Sequence, residues 1–238
     1  MVYENFANNL TRELGFVHTP VAIAFLKDAP SGVRHYSEAA PSACTFWKAA
    51  ERGLFYTTAE DHYNCPIGAI TQGFQIPQPV ADQALSLIGM MGKLSYLEAA
   101  EADKVPVVEK QHNVVVYGPL KDFGQIQPDV VLVICTPFQA MMVSEASGAV
   151  SWGTGAESRT LGRPACAAIP SSLKSGQTTV SMACMGARTF AAIKEEELLV
   201  AIPAAALPKL ESQLPIILDA NVSMKQFYET HKGNFATA

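Results

Sequence analysis

Two stretches of this 238-residue chain repeat one order of parts, and that order limits the folds open to it. The first begins at Ser42-Ala43-Cys44-Thr45 and a helix. It passes through the strand Leu54-Phe55-Tyr56-Thr57-Thr58 and ends at Asn64-Cys65-Pro66-Ile67-Gly68-Ala69, which opens another helix. The second begins at Arg163-Pro164-Ala165-Cys166-Ala167 and a helix, passes through Thr178-Thr179-Val180-Ser181-Met182 and ends at Cys184-Met185-Gly186-Ala187. An unbroken apolar run heads each stretch, Val21 to Leu26 and Val130 to Cys135, and another follows it, Val114 to Tyr117 and Leu198 to Ile202. Such runs read as strands buried on both faces. Each half is therefore strand, cysteine helix, strand, cysteine helix, strand. This predicts an α/β fold in a single compact domain over 1–238, with a mixed, mostly buried sheet covered by helices. The halves, about 18–120 and 128–205, are expected to be internal repeats related by a pseudo-two-fold.

The remaining segments are read around that frame. Phe6, Leu10 and Leu14 recur at four-residue spacing, which predicts a helix from Tyr3 to Leu14 ended by Gly15. An insertion from about Pro77 to Gln111 holds predicted helices at Val80 to Met91 and Tyr96 to Ala102. A second, between Thr136 and Arg163, holds a helix from Pro137 to Ala146 and a Gly-rich loop. The tail, 206–238, reads as two helices around Pro215, with Phe227 and Tyr228 as anchors on the last.

Composition narrows the partners. The formal net charge is -5 and no run of Lys or Arg occurs, which argues against nucleic acid, because phosphate neutralisation needs clustered basic residues. No stretch approaches the roughly 20 apolar residues that span a bilayer, and the first residues lack the pattern of a signal peptide. The expected location is cytoplasmic. In a reducing compartment five cysteines point away from a disulfide framework and toward metal binding, catalysis or packing.

Cys44, Cys65, Cys166 and Cys184 all stand at predicted helix starts. Unpaired N–H groups and the helix dipole favour a thiolate there, so these thiols are expected to be primed to ionise. Four thiolates brought together by tertiary structure are the donor set of an iron–sulfur cluster, with [4Fe-4S] favoured, or of tetrahedral zinc. With only three ligands, one iron would stay open to substrate. The expectation is an iron–sulfur protein acting on a small anionic substrate, by redox or lyase-type chemistry, at the interface between the halves. An electron-transfer protein is a possible partner, and the methionine-rich helices make a homodimer plausible. Two other readings stay open: a non-enzymatic small-molecule-binding module with packed cysteines, and a structural zinc protein. Cys135 ends an apolar strand with no counterpart in the first half and is read as packing.

His62 and Arg188 are the candidates for catalysis, His62 as acid or base beside Asp61 and Arg188 as partner of an anion one helical turn after Cys184. Gly68, Gly186 and Arg163 are the candidates for holding a cofactor, and Arg159 and Arg163 could receive an acid group. Gly153-Thr154-Gly155 does not begin a dinucleotide fingerprint, because Ser158 occupies the third glycine position. Leu94 follows Gly92-Lys93, so no phosphate-binding loop is supported. Met90, Met91, Met141 and Met142 read as packing on apolar helices.

Taken together, these motifs resemble the DUF169 group, also labelled ArCR, of archaeal and bacterial proteins. The resemblance rests on Pro20-Val21-Ala22-Ile23, on Cys44 with its helix and on Cys65-Pro66-Ile67-Gly68-Ala69. It continues through Gly162-Arg163-Pro164-Ala165-Cys166 and Val180 to Arg188, covering about Pro20 to Pro203. It implies that Cys44, Cys65, Cys166, Cys184, Gly186 and Arg188 form a family pattern, and it carries over no activity.

Overall fold

The computed structural model describes residues 2–97, 99–148, 150–152 and 163–235. Its centre is one mixed sheet of eight strands. In chain order these are β1 (Val21–Leu26), β2 (Arg34–His35), β3 (Phe55–Thr58), β4 (Val114–Pro119), β5 (Val130–Cys135), β6 (Val150–Trp152), β7 (Thr178–Ser181) and β8 (Leu198–Pro203). Across the sheet the order is β2-β3-β4-β1-β5-β8-β7-β6. The two edge pairs, β2 with β3 and β6 with β7, are parallel. Every inner pair is antiparallel, including β1 with β5 at the centre. The apolar runs became the four innermost strands, where both faces are covered and side chains gain most from leaving water. The two edge strands β2 and β6 are only two and three residues long and carry no apolar periodicity that a sequence could display.

The described residues form nine helices. They are α1 (Val2–Leu14), α2 (Ala43–Ala50), α3 (Pro66–Thr71), α4 (Gln78–Lys93), α5 (Ala99–Ala102), α6 (Pro137–Ser147), α7 (Ala168–Ser175), α8 (Met185–Phe190) and α9 (Leu207–Phe235). Side chains alternate across each strand, so consecutive residues enter opposite cores. Ile23, Phe25, Val115, Tyr117, Leu132 and Leu199 face α2, α3, α7 and α8. Ala22, Ala24, Val116, Val131, Val133 and Val200 face α1, α6 and α9. The first is called here the cysteine face, because Cys44 and Cys166 belong to its core and Cys184 packs against it. Cys135 lies in the core of the other face. That placement follows from strand parity alone: Ile134 points to one side and Cys135 to the other.

The tail differs from expectation. It is one helix that runs through Pro215 instead of two. Proline removes one hydrogen bond to the residue four earlier, and here both Pro215 and Glu211 are exposed, so water satisfies the freed carbonyl. Leu207, Leu210 and Leu214 anchor this helix to the sheet, whereas Phe227 and Tyr228 are exposed. No described helix is long and apolar enough to cross a membrane.

Candidate functional site

The cysteine helices are short because their sequences begin and end abruptly. Ser42 caps α2, its hydroxyl accepting the Cys44 N–H at 3.4 Å. Cys65 occupies the cap position of α3, with Pro66 in the first turn where its missing N–H costs nothing. Cys184 occupies the cap position of α8. Cys166 lies in a 3-10 turn, Ala165–Ala167, that leads into α7. All four line one cavity of about 430 Å3.

The cavity forms between these helix starts and the insertion carrying α4 and α5. Leu87, Ile88 and Met91 on α4 supply its cover, and Ile67 and Ile70 of α3 its side. Tyr96, just after α4, fastens the cover to the second half in three ways. Its hydroxyl accepts the Met185 N–H at 3.0 Å, its carbonyl accepts Arg163 Nη1 at 2.6 Å, and its ring lies 4.1 Å beneath the Arg163 guanidinium. Gly68 and Gly186 both line the cavity, for different physical reasons. A Cβ on Gly68 would lie 2.6 Å from Ala43 Cβ and 2.9 Å from Cys65 Sγ, so α2 and α3 approach as closely as they do only with glycine there. A Cβ on Gly186 would meet nothing nearer than Cys184 Sγ at 3.8 Å.

Three sequence expectations are corrected. The first is the ionisation of the helix-start thiols: burial pushes the Cys44 and Cys166 thiols well above the ordinary cysteine range, and the neighbouring cysteines add to the rise. A helix start favours an anion by about 0.3–1 kcal/mol, whereas taking an unpaired charge out of water costs several times more. Burial wins, and these two sulfurs are neutral thiols. The second and third are the iron–sulfur cluster and the structural zinc on Cys44, Cys65, Cys166 and Cys184. Among the described residues no group of three or more His, Cys, Asp or Glu side chains is placed to hold a metal ion. The four cysteines line a cavity instead.

The other candidates are placed as follows. His62 is buried behind the cavity, its ring against Phe46 and Phe74, with Nε2 3.0 Å from Thr57 Oγ1. Burial lowers its pKa to about 3, so the ring is neutral, and Nδ1 has no hydrogen-bond partner among the described residues. The Arg188 guanidinium donates to the carbonyls of Met182 at 2.8 Å, of Glu197 at 3.4 Å and of Lys194, fastening α8 to the segment before β8. Neither His62 nor Arg188 lines the cavity. Arg163 does, at its rim. Arg159 and the Gly153-Thr154-Gly155 segment lie outside the described residues.

Sequence reasoning missed the cover and one charged cluster. Leu87, Ile88 and Met91 form an i, i+1, i+4 stripe, a signal that was visible but equally suited to packing. His18 stands between two carboxylates, Nδ1 3.0 Å from Glu51 and Nε2 3.2 Å from Glu197, and joins the end of α2 to the segment before β8. Nothing local in the sequence links three residues so far apart.

No solved structure matches the chain. An uncharacterised protein of Methanocaldococcus jannaschii is 30% identical over 158 residues, which span 64% of this chain and 66% of that protein, just under two thirds of its length. The DUF169 family, described as uncharacterised ArCR, matches residues 9–213, so the fold and cavity traced above lie almost wholly within the matched segment, and the chain belongs to that family.

Proposed function

We propose that the chain binds a small, largely apolar molecule in the cavity above the four cysteines. The observation that carries this reading is the wall itself. Aliphatic, aromatic and sulfur-bearing side chains dominate it, and its volume, 430 Å3, falls within the range of about 300–1,000 Å3 usual for small-molecule sites. Apolar surface leaving water there contributes about 25 cal/mol per Å2.

The two halves are read as copies of one unit. In support, each edge leads inward through a parallel pair and two antiparallel pairs to the central β1 and β5. On this reading β1 to β4 correspond in order to β5 to β8, Cys44 to Cys166 and Cys65 to Cys184. The continuous sheet likewise favours one domain over 1–238. The cavity then belongs to the junction of the copies, and the α4–α5 insertion, present in one copy alone, supplies its cover.

The test uses N-phenyl-1-naphthylamine, a neutral apolar fluorophore. Its emission should rise on addition of the wild-type protein and fail to rise with Gly186→Leu, which fills the cavity from a position with room for a side chain. Equal emission from both proteins, with equal melting temperatures, would overturn the proposal.

A further inference from the structure

The cavity wall carries a single kind of fixed charge. Among the described residues that line it, Arg163 is the one charged side chain, and no carboxylate, lysine or histidine accompanies it. Ser42, Asn64 and Thr71 contribute neutral polar groups. Among the described residues no carboxylate pairs with Arg163, whose contacts are the carbonyl and the ring of Tyr96. These hold the guanidinium by one Nη and one face. A guanidinium has five N–H donors in a planar fork, and among the described residues the edge not spent on the Tyr96 carbonyl has no partner.

A cation beside an apolar cavity strengthens any interaction with an anion, because little water competes there. The thiols do not counter this charge, since Cys44 and Cys166 are held neutral by burial. The same cavity disfavours a cationic ligand through repulsion by Arg163. It disfavours a polyanion as well, because one guanidinium neutralises one charge and the rest would lie against hydrocarbon.

We infer that the ligand is an apolar monocarboxylate, its hydrocarbon body under α4 and its carboxylate on the free edge of Arg163. This rests on the cavity being the binding site. The planar fork of arginine matches a carboxylate in two parallel hydrogen bonds, which lysine cannot reproduce. Arg163 is thus assigned two tasks that share one side chain: it fastens the Tyr96 cover and reads the charged end of the ligand. The tetrahedral anions, alkyl sulfate and alkyl phosphate, can meet the same fork and are outcomes for the test to separate.

The experiment is calorimetric titration of the full chain with decanoate, 1-decanol, decylamine and decyl sulfate, each below its micellar concentration. These share a ten-carbon body and differ in the head. The expected order places decanoate about tenfold or more tighter than decanol, the size of one charge-assisted contact, with decylamine weakest. Arg163→Gln should remove the preference for decanoate over decanol, read as the ratio of the two affinities within the variant so that a loosened cover, which weakens both ligands alike, cancels, and Arg163→Lys should restore part of that preference. The decanol arm reports whether the cavity survives the substitution, since it needs no charge. If decanol and decanoate bind the wild-type protein equally, the carboxylate inference fails while the apolar cavity stands. If decyl sulfate matches or exceeds decanoate, the carboxylate is the wrong anion. If none of the four binds, the cavity reading itself falls.

Discussion

The two faces of the sheet are built from alternate residues of the same strands, yet they are finished differently. One is covered by α1, α6 and α9, of 13, 11 and 29 residues, and its core holds Cys135 as one more packed side chain and a buried polar pair, Thr178 and Ser147, that satisfies itself by a hydrogen bond of 2.8 Å. The other is covered by α2, α3, α7 and α8, none longer than eight residues. Among the described residues, buried side-chain atoms without a hydrogen-bond partner gather on this second face. They include Thr45 Oγ1, Trp47 Nε1, His62 Nδ1, both ends of the Gln72 amide, Tyr117 Oη and Ser172 Oγ. Unmet buried polar groups are uncommon in folded proteins and call for an explanation wherever they cluster. Here they lie behind a cavity. One face was closed for stability, and the other keeps short helices, close glycine contacts and open volume at a cost in satisfied bonds.

Thiol reactivity gives the widest test of that contrast. Cys65 and Cys184 are partly exposed at the cavity wall, whereas Cys44, Cys166 and Cys135 are buried. Burial lifts all three buried thiols, Cys135 to about 12. Iodoacetamide at neutral pH should label Cys65 and Cys184 at least about a hundredfold faster than the rest, which must wait for local opening. Peptide mass mapping over a time course reads the difference. Early labelling of Cys44 or Cys166 would mean that the cysteine face opens far more readily than its packing implies.

Acid should loosen the cysteine face next. His62 titrates at about 3 in the folded chain against an ordinary 6.5, because burial disfavours the imidazolium; Asp61 opposes that shift and His112 adds to it. The unfolded chain takes up this proton below pH 6.5 and the folded chain does not until about pH 3. Stability from this group is therefore full above 6.5 and falls as the pH drops through that window. At pH 4 the loss from His62 is at most about 3 kcal/mol. Urea unfolding at pH 7 and pH 4 measures it, and His62→Gln should flatten the difference. An unchanged pH dependence in that variant would assign the acid sensitivity elsewhere.

Much of this contrast was legible in the sequence, and the illegible part has specific causes. The runs Val21 to Leu26 and Val130 to Cys135 announced buried strands because both faces of a central strand are apolar. The separation of Cys135 from the other four cysteines also follows from reading parity along β5. The helix-start signal misled on chemistry: it reports a local dipole, whereas the state of Cys44 and Cys166 is set by depth, which only tertiary packing fixes. The α4–α5 cover was read as an insertion with packed methionines, since a stripe at helical spacing does not say whether it meets core or cavity. Tyr96 gave no signal, because its role depends on Arg163 and Met185, 67 and 89 residues away.

The smallest effects fall on the two glycines that sequence alone would treat as equivalents, one following Cys65 and one following Cys184. Both lie in first turns of six-residue helices, where glycine is a weaker helix former than alanine by up to about 1 kcal/mol. Gly186→Ala should keep most of that gain, because the new Cβ meets only Cys184 Sγ at 3.8 Å. Gly68→Ala should lose about 1–3 kcal/mol, because its Cβ would lie 2.6 Å from Ala43 Cβ and α2 must move away from α3. Thermal denaturation of the two variants beside the wild type reads the opposite signs. That movement would also shift Cys44 relative to Cys65, so Gly68→Ala should weaken binding in the cavity while Gly186→Ala narrows it by one methyl group. Equal melting temperatures for the pair would mean that α2 and α3 are not held at the distance on which the cavity's shape depends.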